Sequence, residues 1–319
     1  MFKNEASFSF SKATMIAECP LKYYRWTYAS WGGWWRGNKP PSDRTAEENY
    51  EAKFIETIPS WSGKIIHKAA QHILDQARQG RKFSDIEPVM LAHARSMFAR
   101  GQDQALNQHS GNPKHRLQLS EIIDGEPVNW ENVWLRIQQK LHSLAKDNSW
   151  YKADTGNETR NILRHAINNY RQIVMVEDLM SFRRSGLRVW VAMDLVIRGS
   201  DNSVIVVDWK TGRKRKKDKL QAKLYGMWAN GLGWSSVHSV IPYISQENVQ
   251  VDHFRITDED IEKTGMIIDL FAEDLADRLK DGDLDQNIPI RDKFEATDDP
   301  SVCERCPFYR LCKRDGTKP

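Results

Sequence analysis

VAMDLVIRGSDNSVIVVDWKTG, residues 191–212, reads as two short apolar strands joined by a polar turn, yet it sets two aspartates and a lysine where a strand pair would bury valines. Unpaired charge is costly to bury, so acidic groups in a β-rich run call for a partner, a metal ion above all. A symmetric turn over 199–203 places Asp194 opposite Asp208 and Ala192 opposite Lys210. Side chains alternate along a strand, so Asp194, Asp208 and Lys210 share one face, while Val191, Met193, Leu195, Ile205, Val207 and Trp209 form a clean core face. Two carboxylates at cross-strand distance repel unless a cation separates them, and a hard divalent ion such as Mg²⁺ accepts such oxygen ligands. With Lys210 beside them, this is the equipment for hydrolysing a phosphodiester. The competing reading is a surface ion pair of Lys210 with either aspartate.

Six of the seven residues from Arg213 to Lys219 are basic. Such a run is commonly a solvated loop, but directly after the charged strand it is placed to lead a polyanion towards the metal, with Arg213, Lys214, Arg215 and Lys216 as the contacts. In the helix that follows, Gln221 and Tyr225 stand four apart and face the same cleft. A further helix, WSGKIIHKAAQHILDQARQG (61–80), carries an apolar stripe at 65, 66, 69, 70, 73, 74 and 77 and presents His67.

The chain has 319 residues, 40% hydrophobic and 28% charged, which suits a globular protein and excludes a disordered or collagenous one. Net charge is only +4, so its distribution matters more than its sum. Four of the 12 tryptophans (Trp26, Trp31, Trp34, Trp35) crowd the N-terminal segment and read as a packed aromatic cluster in preference to a base-stacking platform. The opening residues lack a signal-peptide layout and no apolar run approaches the ~18 residues of a membrane span, so a cytoplasmic protein is expected. In a reducing compartment four cysteines read as metal ligands before disulfides. CERCPFYRLC (303–312) places Cys303, Cys306 and Cys312 in a C-x2-C-x5-C trio, and Cys19 is the distant fourth. Soft thiolates suit zinc or an iron–sulfur cluster, and spacing alone leaves the two open.

Along the chain, residues 7–29 read as capped helix interrupted at Pro20, 30–60 as loop, and about 84–175 as an all-α stretch. The period changes to that of strands around Glu177, then come a helix (218–231), two strands (235–245 and 247–257), a long helix (258–282) and a loop-like end. No GxxxxGK[ST] occurs, so any motor must come from a partner such as a helicase.

In this order GKIIHK, the glutamate of VMVEDL, AMDLVI, VVDWKTG and QAKLY resemble the PD-(D/E)XK nuclease superfamily in its RecB-like branch. The opening SFSKATMIAECPLKYYRW and closing CERCPFYRLC resemble the members with an iron–sulfur cluster, AddB-type repair nucleases and CRISPR-adaptation exonucleases. The helical stretch is longer than in the compact CRISPR-linked members. The resemblance implies an α/β, restriction-endonuclease-like fold: a central mixed sheet flanked by helices, with a large helical insertion and a C-terminal cysteine region. It implies His67, Asp194 and Asp208 as ligands of Mg²⁺ or Mn²⁺, Lys210 as the catalytic lysine, Glu177 at the start of the first core strand, and Gln221 with Tyr225 as the motif after the active strand. Cys19, Cys303, Cys306 and Cys312 would hold a [4Fe-4S] cluster. The expected organisation is an N-terminal segment (1–67), a helical insertion (68–175), a nuclease core (176–290) and an iron–sulfur segment (291–319).

The function so implied is metal-dependent hydrolysis of DNA, as an exonuclease in repair, recombination or defence against mobile elements. One alternative is a cysteine-stapled DNA-binding or scaffold subunit with an inactive cleft. Another is a redox sensor whose cluster is the output. The complete set His67, Asp194, Asp208 and Lys210 favours the enzyme, since an inactive relative would lose members of it.

Overall fold

Strand β1 (Ser7–Phe8) ends at Ser9, whose hydroxyl accepts from the Lys12 N–H and caps helix α1 (Phe10–Glu18). Cys19 leaves that helix in extended backbone and Pro20 opens α2 (Pro20–Tyr24), where a proline in the first turn loses no helical hydrogen bond. A computed structural model describes residues 4–37, 39–107, 112–147, 150–152, 158–199 and 202–317. Residues 30–60, expected as loop, also hold helix α3 (Arg44–Ala52), capped by Asp43, and strand β2 (Ile55–Glu56). Helix α4 (Ile58–Arg78), capped by Thr57, buries the stripe from Ile65 to Ala77 that its periodicity foretold. Then come α5 (Glu87–Asn107), β3 (Gln118–Leu119), α6 (Ser120–Ile123), α7 (Trp130–Ala145), β4 (Trp150–Lys152), β5 (Glu158–Arg160) and α8 (Ile162–Asn168). The all-α expectation for this stretch is corrected at two places, because β3 pairs with β2 and β4 with β5. Strands of two and three residues are too short for alternation to register.

The remaining elements are β6 (Ile173–Val176), β7 (Leu179–Arg184), β8 (Leu187–Ala192), β9 (Leu195–Arg198), β10 (Ser203–Val207), α9 (Lys216–Asn230), β11 (Ser236–Ile244), β12 (Val249–Arg255), α10 (Asp258–Asp277), α11 (Pro300–Glu304) and α12 (Tyr309–Arg314). The last two replace the expected loop-like end with short helices. A five-stranded mixed sheet runs β12-β11-β10-β9-β6, with β10 and β11 parallel and the other pairs antiparallel; β1, β8 and β7 form a second, three-stranded sheet.

The 191–212 stretch obeys the expected register but not the expected faces. Val207 pairs with Leu195 and Val204 with Arg198, as the symmetric turn requires; Ser200 and Asp201 within that turn lie outside the described residues. Its first strand, however, is broken at Met193 and Asp194: β8 belongs to the smaller sheet and β9 to the larger. Both faces of β10 are buried. Leu195, Ile197, Ile205 and Val207 pack with α4, α5, α7 and α8, while Val196, Val204 and Val206 pack on the opposite side with α9, α10 and the N-terminal helices. There is thus no charged face. Helices cover both sides of the sheet, and the charges lie past the end of the β9–β10 ladder.

Candidate active site

A fork in the main sheet makes the site. After Val207 and Leu195 the β9–β10 ladder stops, so Asp208 and Asp194, next in register, no longer exchange backbone hydrogen bonds. The β10 chain nevertheless stays on β11: the Asp208 N–H donates to Val240 O at 3.1 Å, the Lys210 N–H to Pro242 O at 2.8 Å, and the Ile244 N–H to Lys210 O at 2.7 Å. On the open side the Trp209 N–H has lost its strand partner, and the Asp194 carboxylate accepts it at 2.6 Å. A buried amide must be paired, so Asp194 is held where the strands part.

Helix α4 brings His67 to this fork, its Nδ1 3.1 Å from Asp194 Oδ1 and 3.9 Å from Glu177 Oε1. One glycine permits the approach, since a Cβ on Gly63 would lie 2.7 Å from Thr211 Oγ1 in the loop after Lys210. Glu177 does not open a core strand as expected; it follows β6 in the left-handed region (φ 50°), its N–H donating to Asp194 O at 3.1 Å. That conformation is unusual for a residue with a side chain and turns the carboxylate towards His67. Lys68 holds its other oxygen at 2.8 Å. One ligand atom each from His67, Glu177 and Asp194 lie within 4.8 Å of one another, a nitrogen and two oxygens suited to Mg²⁺ or Mn²⁺.

Asp208 and Lys210 complete the group. The Lys210 ammonium stands 2.5 Å from Asp208 Oδ2, though no donor is aligned on that oxygen, and it donates to Gln221 Oε1 at 2.8 Å. Gln221 in turn donates to the hydroxyl of Tyr225, whose ring is buried in the core below. Burial, then the Asp194 charge, push the Asp208 carboxyl up to about 7 against the pull of Lys210 and His67. Burial disfavours the His67 imidazolium, but Asp194, Asp208 and Glu177 outweigh it and raise the imidazole above its ordinary value. A cation among these carboxylates relieves both strains, so the residues fit a divalent ion.

Arg213, Lys214, Arg215 and Lys216 are exposed, but Lys214 is paired with Asp252 and lies over the Tyr243 ring. Cys19, Cys303, Cys306 and Cys312 line one small pocket with Lys22 and Phe308. Burial pushes the Cys306 thiol up to about 11 and also raises Cys303 and Cys312, with Cys19 adding like charge in all three. Thiols that share a pocket offer soft ligands, though among the described residues only His67, Glu177 and Asp194 bring three ligand atoms within 4.8 Å of one another. Of the tryptophans, Trp26 packs edge-on against Phe308 and Trp31 against Trp34. Sequence reasoning quoted Gly63 and Lys68 within GKIIHK but gave neither a role. A glycine inside a helical stripe was the available signal for the first; no local signal marks a lysine whose partner is 109 positions away.

No protein with a curated description matches the chain. The crystal structure of SSO0001 is similar over 49% of this chain and 66% of that one, with 18% identity and a TM-score of 0.29, so the chain spans just under two thirds of that protein's length. A family model described as the PD-(D/E)XK nuclease superfamily matches residues 7–313, from β1 into α12 and through every residue of the site. The chain belongs to the PD-(D/E)XK nuclease superfamily.

Proposed function

We propose that the chain is a metal-dependent deoxyribonuclease of the RecB-like branch, an exonuclease in DNA repair, recombination or defence against mobile elements. The observation that carries this reading is the gathering of His67, Glu177 and Asp194 beside the Asp208–Lys210 pair. His67, Asp194 and Asp208, joined by Glu177, would hold Mg²⁺ or Mn²⁺. Such an ion supplies charge stabilisation to the phosphate under attack. Lys210, steadied by Gln221 and Tyr225, orients the attacking water or offsets the charge that develops in the transition state. The exposed Arg213, Arg215 and Lys216 bear on the DNA backbone. No described helix is long and apolar enough to cross a membrane, and the gathered free thiols suit the cytoplasm. Lacking a P-loop, the chain would take any unwinding from a partner helicase.

The test is cleavage of end-labelled single- and double-stranded DNA with Mn²⁺ or Mg²⁺. Lys210→Ala should keep metal and DNA binding while cleavage falls by roughly 10² or more, the size of one preorganised charge lost. Wild-type rates from Lys210→Ala, in a preparation free of contaminating nuclease, would sink the assignment and favour an inactive cleft. The same reading gives the cysteines a [4Fe-4S] cluster, supported by their common pocket. Anaerobically purified protein should be brown and contain iron; stoichiometric zinc without iron would replace the cluster by a zinc site.

A further inference from the structure

A second pocket opens beside the metal site and shares Pro59, Ser60 and Thr211 with it. Its far wall carries Arg136 and Lys140, four apart on one face of α7, and Arg215, the residue that precedes α9. No carboxylate lines it, in contrast to the metal site, which has Glu177 and Asp194. Among the described residues none of the three cations has an acidic partner; the Lys140 ammonium meets only a neutral acceptor, Thr211 O at 2.6 Å. Lys140 is partly buried, and burial together with the Arg136 charge disfavours its protonated form. Exposed Arg136 and Arg215 and half-buried Lys140 present three cations to one hollow with no carboxylate in its lining, an arrangement that favours an anion. Thr211 links the two places, its side chain against Gly63 of the helix that bears His67 and its carbonyl on Lys140.

We propose that Arg136, Lys140 and Arg215 form a second phosphate site that holds the DNA strand one or more nucleotides from the scissile phosphate. The assignment rests on the nuclease reading above for the identity of the strand. It gives α7, which otherwise only packs on the core, a part in positioning substrate. The phosphate held is either an internal diester or a strand end.

The full-length Arg136→Gln/Lys140→Gln protein tests this on three DNAs: a 5′-phosphorylated strand, the same strand with a 5′-hydroxyl, and a closed circle. Binding is measured against salt in a Lys210→Ala background, which leaves the DNA intact, and cleavage with Lys210 present. The expected result is a log–log salt slope shallower by roughly 1.4 to 1.8 for two lost contacts. About tenfold lower kcat/KM should come mainly through KM, with Mn²⁺ binding unchanged. Lys140→Arg alone should keep the slope. An effect confined to the 5′-phosphorylated strand assigns the strand end, and an equal effect on the circle assigns an internal diester. Unchanged salt slope on all three DNAs and unchanged KM on the two linear strands, with the wild type cutting them, would overturn the proposal and leave the nuclease assignment standing. A shallower slope from a protein that never cuts would keep the phosphate site and remove the nuclease assignment. Because Lys140 also holds the Thr211 loop, a loss from Lys140→Gln without one from Arg136→Gln would count against the proposal.

Discussion

Asp208 is where pH acts on this site. Its carboxyl, pushed up to about 7 by burial and by Asp194, keeps a proton in the native metal-free protein that the unfolded chain has already released. The native state therefore binds more protons over that interval, and stability falls as pH rises from the ordinary carboxylate range to about 7, then levels. His67, raised by its carboxylate neighbours despite burial, acts in the same sense: its contribution is present below the ordinary imidazole value and is lost as pH rises through the raised one. The proposed metal site needs both groups deprotonated, so Mn²⁺ affinity should weaken by at least about tenfold per pH unit below about 7 and level off once both are deprotonated. Asp208→Asn should leave only the His67 part of that slope. Calorimetric titration of Mn²⁺ across this pH range checks it, and a flat profile in the wild type would remove Asp208 and His67 from the ligand set. Asp194, Asp208 and Lys210 were legible in the sequence because charge among valines is conspicuous. The closeness of Glu177 to His67 was not, since a left-handed residue after β6 creates it.

At the scale of elements, Gly63 lets α4 lie against the side chain of Thr211 in the loop after Lys210. Gly63→Ala would press its methyl on Thr211 Oγ1, and the overpacking should cost about 1–3 kcal/mol while cleavage falls as His67 is displaced. Thr211→Ala in the same background removes the clash, since the Thr211 Cβ stands 3.9 Å from that methyl, an ordinary contact. There the alanine should become neutral or stabilising by up to ~1 kcal/mol from helix propensity. Thermal melts of the four proteins give the coupling; additive effects would contradict the proposed contact. The basic run gives a separate expectation. Lys214 already has Asp252, so replacing Arg213, Arg215 and Lys216 by glutamine should flatten the salt dependence of DNA binding by roughly 0.7 to 0.9 log units per phosphate contact, and Lys214→Gln should add little. The α4 stripe was readable because seven apolar positions repeat at helical spacing. α3 was not, since its sequence RTAEENYEA is too polar to show a stripe.

Across the whole molecule the two ends of the chain are tied together. Arg25 pairs with Asp315 at 2.7 Å, Tyr28 donates to Asn287 at 2.7 Å, and the cysteine pocket joins the α1–α2 break to α11 and α12. The centre proposed for Cys19 and the C-terminal trio would close nearly the entire chain into a loop, so Cys303→Ser should lower the melting temperature by several degrees and expose the last helices to protease. Equal melting and equal proteolysis in the two proteins would show that the polar ties suffice alone. The sequence by itself determined the α/β class, the β9–β10 register, the α4 stripe and the identity of the charged residues, because each is set by periodicity, turn symmetry or residue chemistry within a few positions. Tertiary structure alone decided that both faces of β10 are buried, that the strands part at Asp194, that Glu177 follows β6 in left-handed backbone beside His67, and that Lys68, Arg136 and Lys140 border the cleft. Those facts depend on which helices cover the sheet, and the contacts that choose them link residues far apart in the chain.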